Sequence, residues 1–290
     1  MGINEHPRSE RLGDLMGRRP ITWLRIDRGY TPAERWVVGF DDGSSAFAKI
    51  GTTPDTSDWL RIEHRMYSNI DAPWLPEFLG WDDDGNAPIL ALEDLSGAHW
   101  PPPWERRHIE SVLNALSCVR SARPPEGTPK LDEPPPAGWF DIAANPAPFL
   151  SLQLCSGAWL DKALPALLDA EKSAPMAGND FLHLDIRSDN LCFVGDRAVI
   201  VDWNLACMGN GLLDIAFWLP SLHAEGGPKP EEVSPESGVF AAPISGFFAS
   251  RAGLPIIPSA PRVREVQLQQ LRTALPWAVR ALDLPPLNQG

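Results

Sequence analysis

Cysteine is scarce in this chain of 290 residues, and the four present, Cys118, Cys155, Cys192 and Cys207, form no C-x-x-C pair. Neither a zinc centre nor a disulfide framework is expected from them, and a reducing cytoplasm fits the pattern. No segment reaches the ~18 apolar residues of a membrane span. The N-terminal MGINEHPRSERLGDLMGRR has no apolar signal-peptide core, and the sixth position lacks the Ser or Thr that supports myristoylation. The chain is therefore expected to stay in the cytoplasm. Positive charge is also in deficit: 25 basic against 38 acidic residues give a formal charge of −13 and an isoelectric point near 4.9. That argues against a nucleic-acid or anionic-membrane partner and leaves a cationic small molecule open. No acidic tail explains the excess, since residues 1–95 carry 10 basic and 17 acidic side chains and the remainder 15 and 21. No internal repeat is found.

What the sequence does hold is a chain with 43% hydrophobic residues, enough for one large domain or two lobes. Its most informative stretch is 181–203, FLHLDIRSDNLCFVGDRAVIVDW. Leu191 to Val194 and Ala198 to Val201 are short apolar runs around Gly195, Asp196 and Arg197, the composition of a tight β-hairpin. Counting outward from the turn sets Asn190 opposite Val201 or Asp202, so a carboxamide oxygen and a carboxylate arrive together at the open end. Two hard oxygen donors suit Mg²⁺, which keeps several waters. Asp185 lies five residues before Asn190, on the loop entering the hairpin, where it is free to act as a base.

Residues 21–26, 35–40 and 45–50 read as strands of an antiparallel meander with short turns between them. Lys49 interrupts the apolar run AFAKI, where an ammonium is costly without a partner. The helical stripe in 56–70 places Glu63 with Leu60 and Tyr67, so Lys49 and Glu63 are expected to meet. Residues 87–95 form another apolar strand running into the linker Ser96-Gly97, where two lobes would join. Helical spacing marks 105–120 and the stripe of Trp159, Leu160, Ala163, Leu164 and Leu167, both read as core. The prolines of 123–148 suggest an irregular segment. Residues 212–222 form an apolar helix in which the single acid, Asp214, must be satisfied. His223 to Ser237 reads as a solvated loop whose Glu225, Glu231 or Glu232 could instead meet an amine. An amphipathic helix over 262–282 closes the chain.

The spacing H-x-D-x-x-x-x-N, filled by His183, Asp185 and Asn190 and followed by a strand ending in Asp202, resembles the catalytic loop and metal-binding Asp of kinases. The Asp202-Trp203 ending and the following LLDIAFW resemble, more narrowly, the aminoglycoside phosphotransferase and choline kinase group. That resemblance implies an α+β, two-lobed protein-kinase-like fold. A small antiparallel-sheet lobe over 1–95 would bind nucleotide, and a mostly helical lobe over 96–290 would carry the catalytic loop, metal site and acceptor site. It implies ATP and Mg²⁺ as cofactors, and transfer of the γ-phosphate to a hydroxyl of an antibiotic, amino sugar or related metabolite. Asp185 would be the base, Asn190 and Asp202 the metal ligands, and Lys49, aimed by Glu63, the contact to the α and β phosphates. Gly29 or Thr31 would touch phosphate, and the backbone around Glu93 and Asp94 the adenine edge. His183 and Asp214 would support the catalytic loop. A protein kinase is disfavoured, because only eleven residues separate Asp202 from Asp214 and no A-P-E signature lies there. A non-catalytic nucleotide sensor is the rival reading, against which the three intact positions argue.

Overall fold

The computed structural model describes residues 6–27, 32–131, 138–258 and 260–287. In chain order it holds helix α1 (Ser9–Met16), strands β1 (Pro20–Arg25), β2 (Glu34–Phe40) and β3 (Ser45–Ile50), helix α2 (Pro54–Asn69), and strands β4 (Phe78–Asp82) and β5 (Ile89–Leu92). Helices α3 (Arg106–Ser121), α4 (Gly138–Ala144), α5 (Ala147–Leu150) and α6 (Gly157–Ser173) follow. Next come strands β6 (Asp180–Leu182), β7 (Leu191–Val194), β8 (Arg197–Ile200) and β9 (Cys207–Gly209). Helices α7 (Leu212–Ala224), α8 (Pro230–Val233), α9 (Ala241–Ala252) and α10 (Val263–Ala281) complete an α+β chain. It forms two compact units, Met1–Trp100 with Asp189–Asn204, and Pro101–Ser188 with Leu205–Gly290. Among the described residues no helix is long and apolar enough to cross a membrane.

The first unit is built on an antiparallel sheet of order β1-β2-β3-β5-β4. Strand β3 is paired on both edges, so its alternation must serve two covered faces. Ala46, Ala48 and Ile50 are fully buried in a cluster with Leu12 of α1, while Lys49 turns to the other face, toward Glu63 of α2. A slip of one residue in β3 would exchange those faces and bury the lysine against α1. Helix α2 begins at a reciprocal cap. Thr53 Oγ1 accepts the Thr56 N–H at 3.2 Å, Thr56 Oγ1 accepts the Thr53 N–H at 2.9 Å, and Pro54 takes the first position, where no N–H is needed.

The β7–β8 hairpin packs with this first unit. Leu95, Cys192 and Val199 form a small buried cluster, and His99 exchanges backbone hydrogen bonds with Phe193 at 2.9 and 3.0 Å. The Ile200 N–H reaches the Trp74 carbonyl at 2.9 Å. Arg197 closes the contact with a 2.8 Å ion pair to Glu93.

In the second unit β6 and β9 pair antiparallel, which fixes both the entry to the 183–188 loop and the start of α7. Helix α7 is buried over Leu213 to Ala216 and again over Trp218 to Leu222, as its nearly unbroken apolar composition requires. The segment 123–148, expected to be irregular, contains α4 and the start of α5. Glu171 supplies what its proline-rich surroundings cannot: its two carboxylate oxygens accept the Gly138 and Trp139 N–H groups at the start of α4, each at 2.8 Å. The solvated loop expected over 223–237 contains α8 and the start of a 3₁₀ turn spanning Pro235–Phe240. Helices α1 and α9 and strand β4 carry no expectation from the sequence. In α9, AAPISGFFASRA, a proline and a glycine mask the helical signal. The glycine is there for contact: a Cβ on Gly246 would sit 2.6 Å from Trp139 Cδ1, and one on Gly138 would sit 1.9 Å from the Gly246 carbonyl carbon, so the backbones of α4 and α9 touch.

Candidate functional site

The hairpin sets the geometry of the candidate residues in the first unit. Val194 pairs with Arg197 across a two-residue turn, and Gly195 adopts φ +61°, as a primed turn demands and a side chain disfavours. From there the register runs Leu191 against Ile200, and the Val201 N–H bonds the Asn190 carbonyl at 2.9 Å. Asn190 is thus opposite Val201, with Asp202 one residue beyond. Asp202 takes φ +69°, a left-handed conformation that Asp tolerates better than most residues, and its N–H is held by the Tyr67 hydroxyl at 3.1 Å. Tyr67 stands four residues after Glu63 on α2, so one helical stripe holds both Asp202 and Lys49. The sequence reading placed Tyr67 on that stripe and gave it no role. A hydroxyl on an otherwise apolar stripe beside Glu63 was the available signal.

Lys49 lies between two carboxylates, its Nζ 2.5 Å from Glu63 Oε1 and 2.8 Å from Asp202 Oδ1. Lys49 and Glu63 are buried, whereas the Asp202 side chain keeps 29% of its surface open. Burial alone would lower the lysine's proton affinity, but the two carboxylates reverse that and raise it above the ordinary value. Burial pushes Glu63 up to about 7, and the ammonium offsets only part of the effect. For Asp202 burial is again the largest single influence, but the charge and hydrogen bond of the Lys49 ammonium, with the Arg35 charge, outweigh it and hold the carboxyl well below the usual range. Asp202 is therefore the carboxylate that stays charged, which suits it to a hard cation. Among the described residues no group of three or more His, Cys, Asp or Glu is placed to chelate a metal. A Mg²⁺ held by one carboxylate, one carboxamide, waters and nucleotide phosphates needs no such group, so Asp202 and Asn190 fit that ion.

The loop 183–188 lies in the second unit. His183 is fully buried, and its Nδ1 accepts the Asp185 N–H at 3.1 Å. Leu184 is left-handed at φ +66°, a conformation a leucine pays for. Asp214 of α7 compensates by accepting the His183 N–H at 2.9 Å and the Leu184 N–H at 2.6 Å. Arg187, to which the sequence reading gave no role, faces Asp185 with Nε 3.2 Å from Oδ1 and Nη2 3.2 Å from Oδ2. One hydrogen bond, from Nη2, and the close charge at Nε hold the carboxylate beside the guanidinium.

Burial pushes the Asp214 carboxyl up to about 6, against the lowering effect of its two N–H bonds. Because the folded value exceeds the ordinary 3.8, folding binds this proton, and the resulting stability is full below pH 4 and lost as pH rises through about 6. The stability difference between wild type and Asp214→Asn should therefore shrink by about 2–3 kcal/mol between pH 4 and pH 7. Urea denaturation at stepped pH measures it, and a difference that stays flat would contradict the assignment.

Other expected positions are placed as follows. Gly29 and Thr31 lie outside the described residues. The Glu93 side chain is committed to Arg197, and its N–H donates to the Glu77 carbonyl at 2.9 Å. Asp94 accepts the Ser96 N–H at 2.9 Å and caps that turn. The three acids suggested for an amine are all engaged. Glu231 pairs with Arg280 at 2.6 Å, Glu232 accepts the Lys229 N–H at 3.0 Å, and Glu225 accepts from Ser188 and Trp104.

A model of the phosphotransferase enzyme family known as APH matches residues 22–236. No curated protein sequence matches the chain. Among solved structures, a choline/ethanolamine kinase family protein from Mesorhizobium loti is similar at a TM-score of 0.55 and 13% identity, over 90% of this chain and 91% of that one. An amicoumacin kinase in complex with AMP-PNP, Ca²⁺ and Ami is similar at 0.51 and 10%, over 91% of each chain. A choline kinase from Cryptosporidium parvum Iowa II is similar at 0.50 and 11%, over 90% and 88%. At these identities the likeness is one of fold, the two-lobed kinase-like fold.

Proposed function

The chain belongs to the APH phosphotransferase enzyme family, and from that membership we propose that it transfers the γ-phosphoryl group of ATP to a hydroxyl of a small molecule, an antibiotic, amino sugar or related metabolite. One observation supports this most. Lys49, Glu63 and Asp202, separated by 14 and 139 positions in sequence, meet as one buried ammonium between two carboxylates. An apolar pair of the same volume would serve stability as well or better, so retaining three charges there points to a phosphate-bearing ligand. The amicoumacin kinase that shares the fold holds AMP-PNP and Ca²⁺, which supports a nucleotide and a divalent cation here.

In the proposed reaction the acceptor hydroxyl oxygen attacks the γ-phosphorus, the bond from γ-phosphorus to the β–γ bridging oxygen breaks, and ADP departs with that electron pair. Asp185 orients the hydroxyl and takes its proton. His183, Arg187 and Asp214 keep the Asp185 carboxylate in place. Lys49, aimed by Glu63, holds the α and β phosphates. Asp202 and Asn190 would hold a Mg²⁺, which when bound would supply positive charge against the nucleotide phosphates.

The experiment is incubation with ATP, Mg²⁺ and a panel of amines, sugars and antibiotics, followed by mass spectrometry for the gain of one phosphate on an acceptor. Gain on a peptide instead, or nucleotide binding with no transfer to any acceptor, would overturn the proposal. Within the same reading, Lys49→Ala should raise the KM for ATP and leave that for the acceptor nearly unchanged. It should also cost about 3–5 kcal/mol of stability, because two carboxylates lose their shared cation. Steady-state kinetics and a melting curve test the two halves independently.

A further inference from the structure

Glu225 stands directly after the last turn of α7, eleven positions beyond Asp214 in the first turn of the same helix. Its Oε1 accepts the Ser188 hydroxyl at 2.5 Å and its Oε2 accepts the Trp104 indole N–H at 2.8 Å. Both carboxylate oxygens are thereby used, one of them on the loop that carries Asp185. Trp104 is in turn packed against Trp218 of α7, with ring centroids 5.5 Å apart and an interplanar angle of 57°. The loop is therefore tied to α7 at both ends: His183 and Leu184 to Asp214, Ser188 to Glu225.

The two ties therefore hold opposite ends of the loop, and a shift of the loop as a whole has to stretch or break both. Asp185 stands between the ties, further braced by Arg187.

We propose that Glu225 is a positioning residue: through Ser188, and backed by Trp104, it fixes the far end of the 183–188 loop so that the Asp185 carboxylate stays where the acceptor hydroxyl must meet it. The charge of Glu225 is spent on two neutral donors and serves the loop rather than an amine of the acceptor. This inference rests on the phosphotransfer reading for the chemistry at Asp185 and on the structure alone for the tie.

Two measurements keep those apart. Hydrogen exchange of the amides of 184–188 is followed in wild type, Glu225→Ala, Glu225→Gln and Ser188→Ala, and the same proteins are assayed for phosphoryl transfer. Exchange should rise at least tenfold in Glu225→Ala and in Ser188→Ala. Glu225→Gln should stay near wild type, since its amide can accept from Trp104 and donate to the Ser188 hydroxyl. In turnover, kcat should fall ten- to a hundredfold in the two alanine variants with the KM for ATP unchanged, and the glutamine variant should recover most of it, because a displacement of about 1 Å in a reacting group is enough for such losses. A double Ser188→Ala, Glu225→Ala variant should be no worse than the more damaged single one. Exchange rates and kcat that stay at wild-type values in Ser188→Ala, which folds with only one hydroxyl missing, would overturn the proposal. So would a glutamine variant as impaired as the alanine one, because the charge itself would then be acting. If exchange responds as expected while wild type phosphorylates nothing in the panel, the tie stands and the phosphotransfer reading falls.

Discussion

Replacing Asp202 by Asn is expected to abolish Mg²⁺-dependent turnover while the protein remains folded. The carboxamide is a poorer donor to a hard dication, and the only charged oxygens in the proposed metal pair belong to Asp202. The fold is spared because of the charge balance around Lys49. One ammonium serves two carboxylates, with Glu63 at 2.5 Å and Asp202 at 2.8 Å. Removing the Asp202 charge leaves a one-to-one pair in which Glu63 no longer competes for its cation. The variant should therefore melt close to wild type, in contrast to Lys49→Ala, which strands both acids. Metal titration and a melting curve on the same preparation decide it. Residual activity within tenfold of wild type would remove Asp202 from the metal site, and a collapse of the melting temperature would show that Asp202 acts in stability instead.

Asp185→Asn should give the second largest loss, a fall in kcat of about 10² or more with little change in nucleotide affinity. Asn keeps an oxygen for Arg187 and its backbone N–H for His183 Nδ1, so the loop should hold its course. What disappears is the negative charge that draws the hydroxyl proton. The acceptor would still bind, and its KM should move less than kcat. Steady-state kinetics with the acceptor identified in the panel, together with nucleotide titration, separate the terms. Normal turnover, or a loss of ATP affinity as severe as that of Asp202→Asn, would show that another carboxylate faces the acceptor.

How much of this was legible in the sequence depends on whether a residue's reason lay nearby in the chain. The hairpin was readable because apolar runs flank Gly195, and its register followed by counting. Lys49 announced a partner by being an ammonium in AFAKI, and Glu63 was found because a helical stripe is a local pattern. Helix α4 was missed because its start depends on Glu171, more than thirty residues on, and α9 because Gly246, which reads as a breaker, is there to admit Trp139 and Glu171. Strand β4 was missed for a related reason: a Cβ on Gly80 would meet Leu15 of α1 at 2.9 Å, a contact no window of sequence displays. Glu225 was weighed as an amine contact, yet its partners Trp104 and Ser188 lie 121 and 37 positions away. Tertiary partners of this kind override local preference.

The two-residue turn at Gly195 and Asp196 has a consequence for what lengths of chain this protein can tolerate. Side chains on a strand alternate, so one inserted residue in β8 would carry Asp202 past its place and leave Val201 or an inward-facing neighbour where the carboxylate belongs. An insertion confined to the turn itself could be absorbed as a longer loop, leaving the ladder from Leu191 against Ile200 intact. Between Asn190 and Asp202, then, the sequence is free to vary in identity at exposed positions such as Val194 but not in count along either strand. A library of single-residue insertions across 189–204, selected for turnover, should return survivors only at the turn.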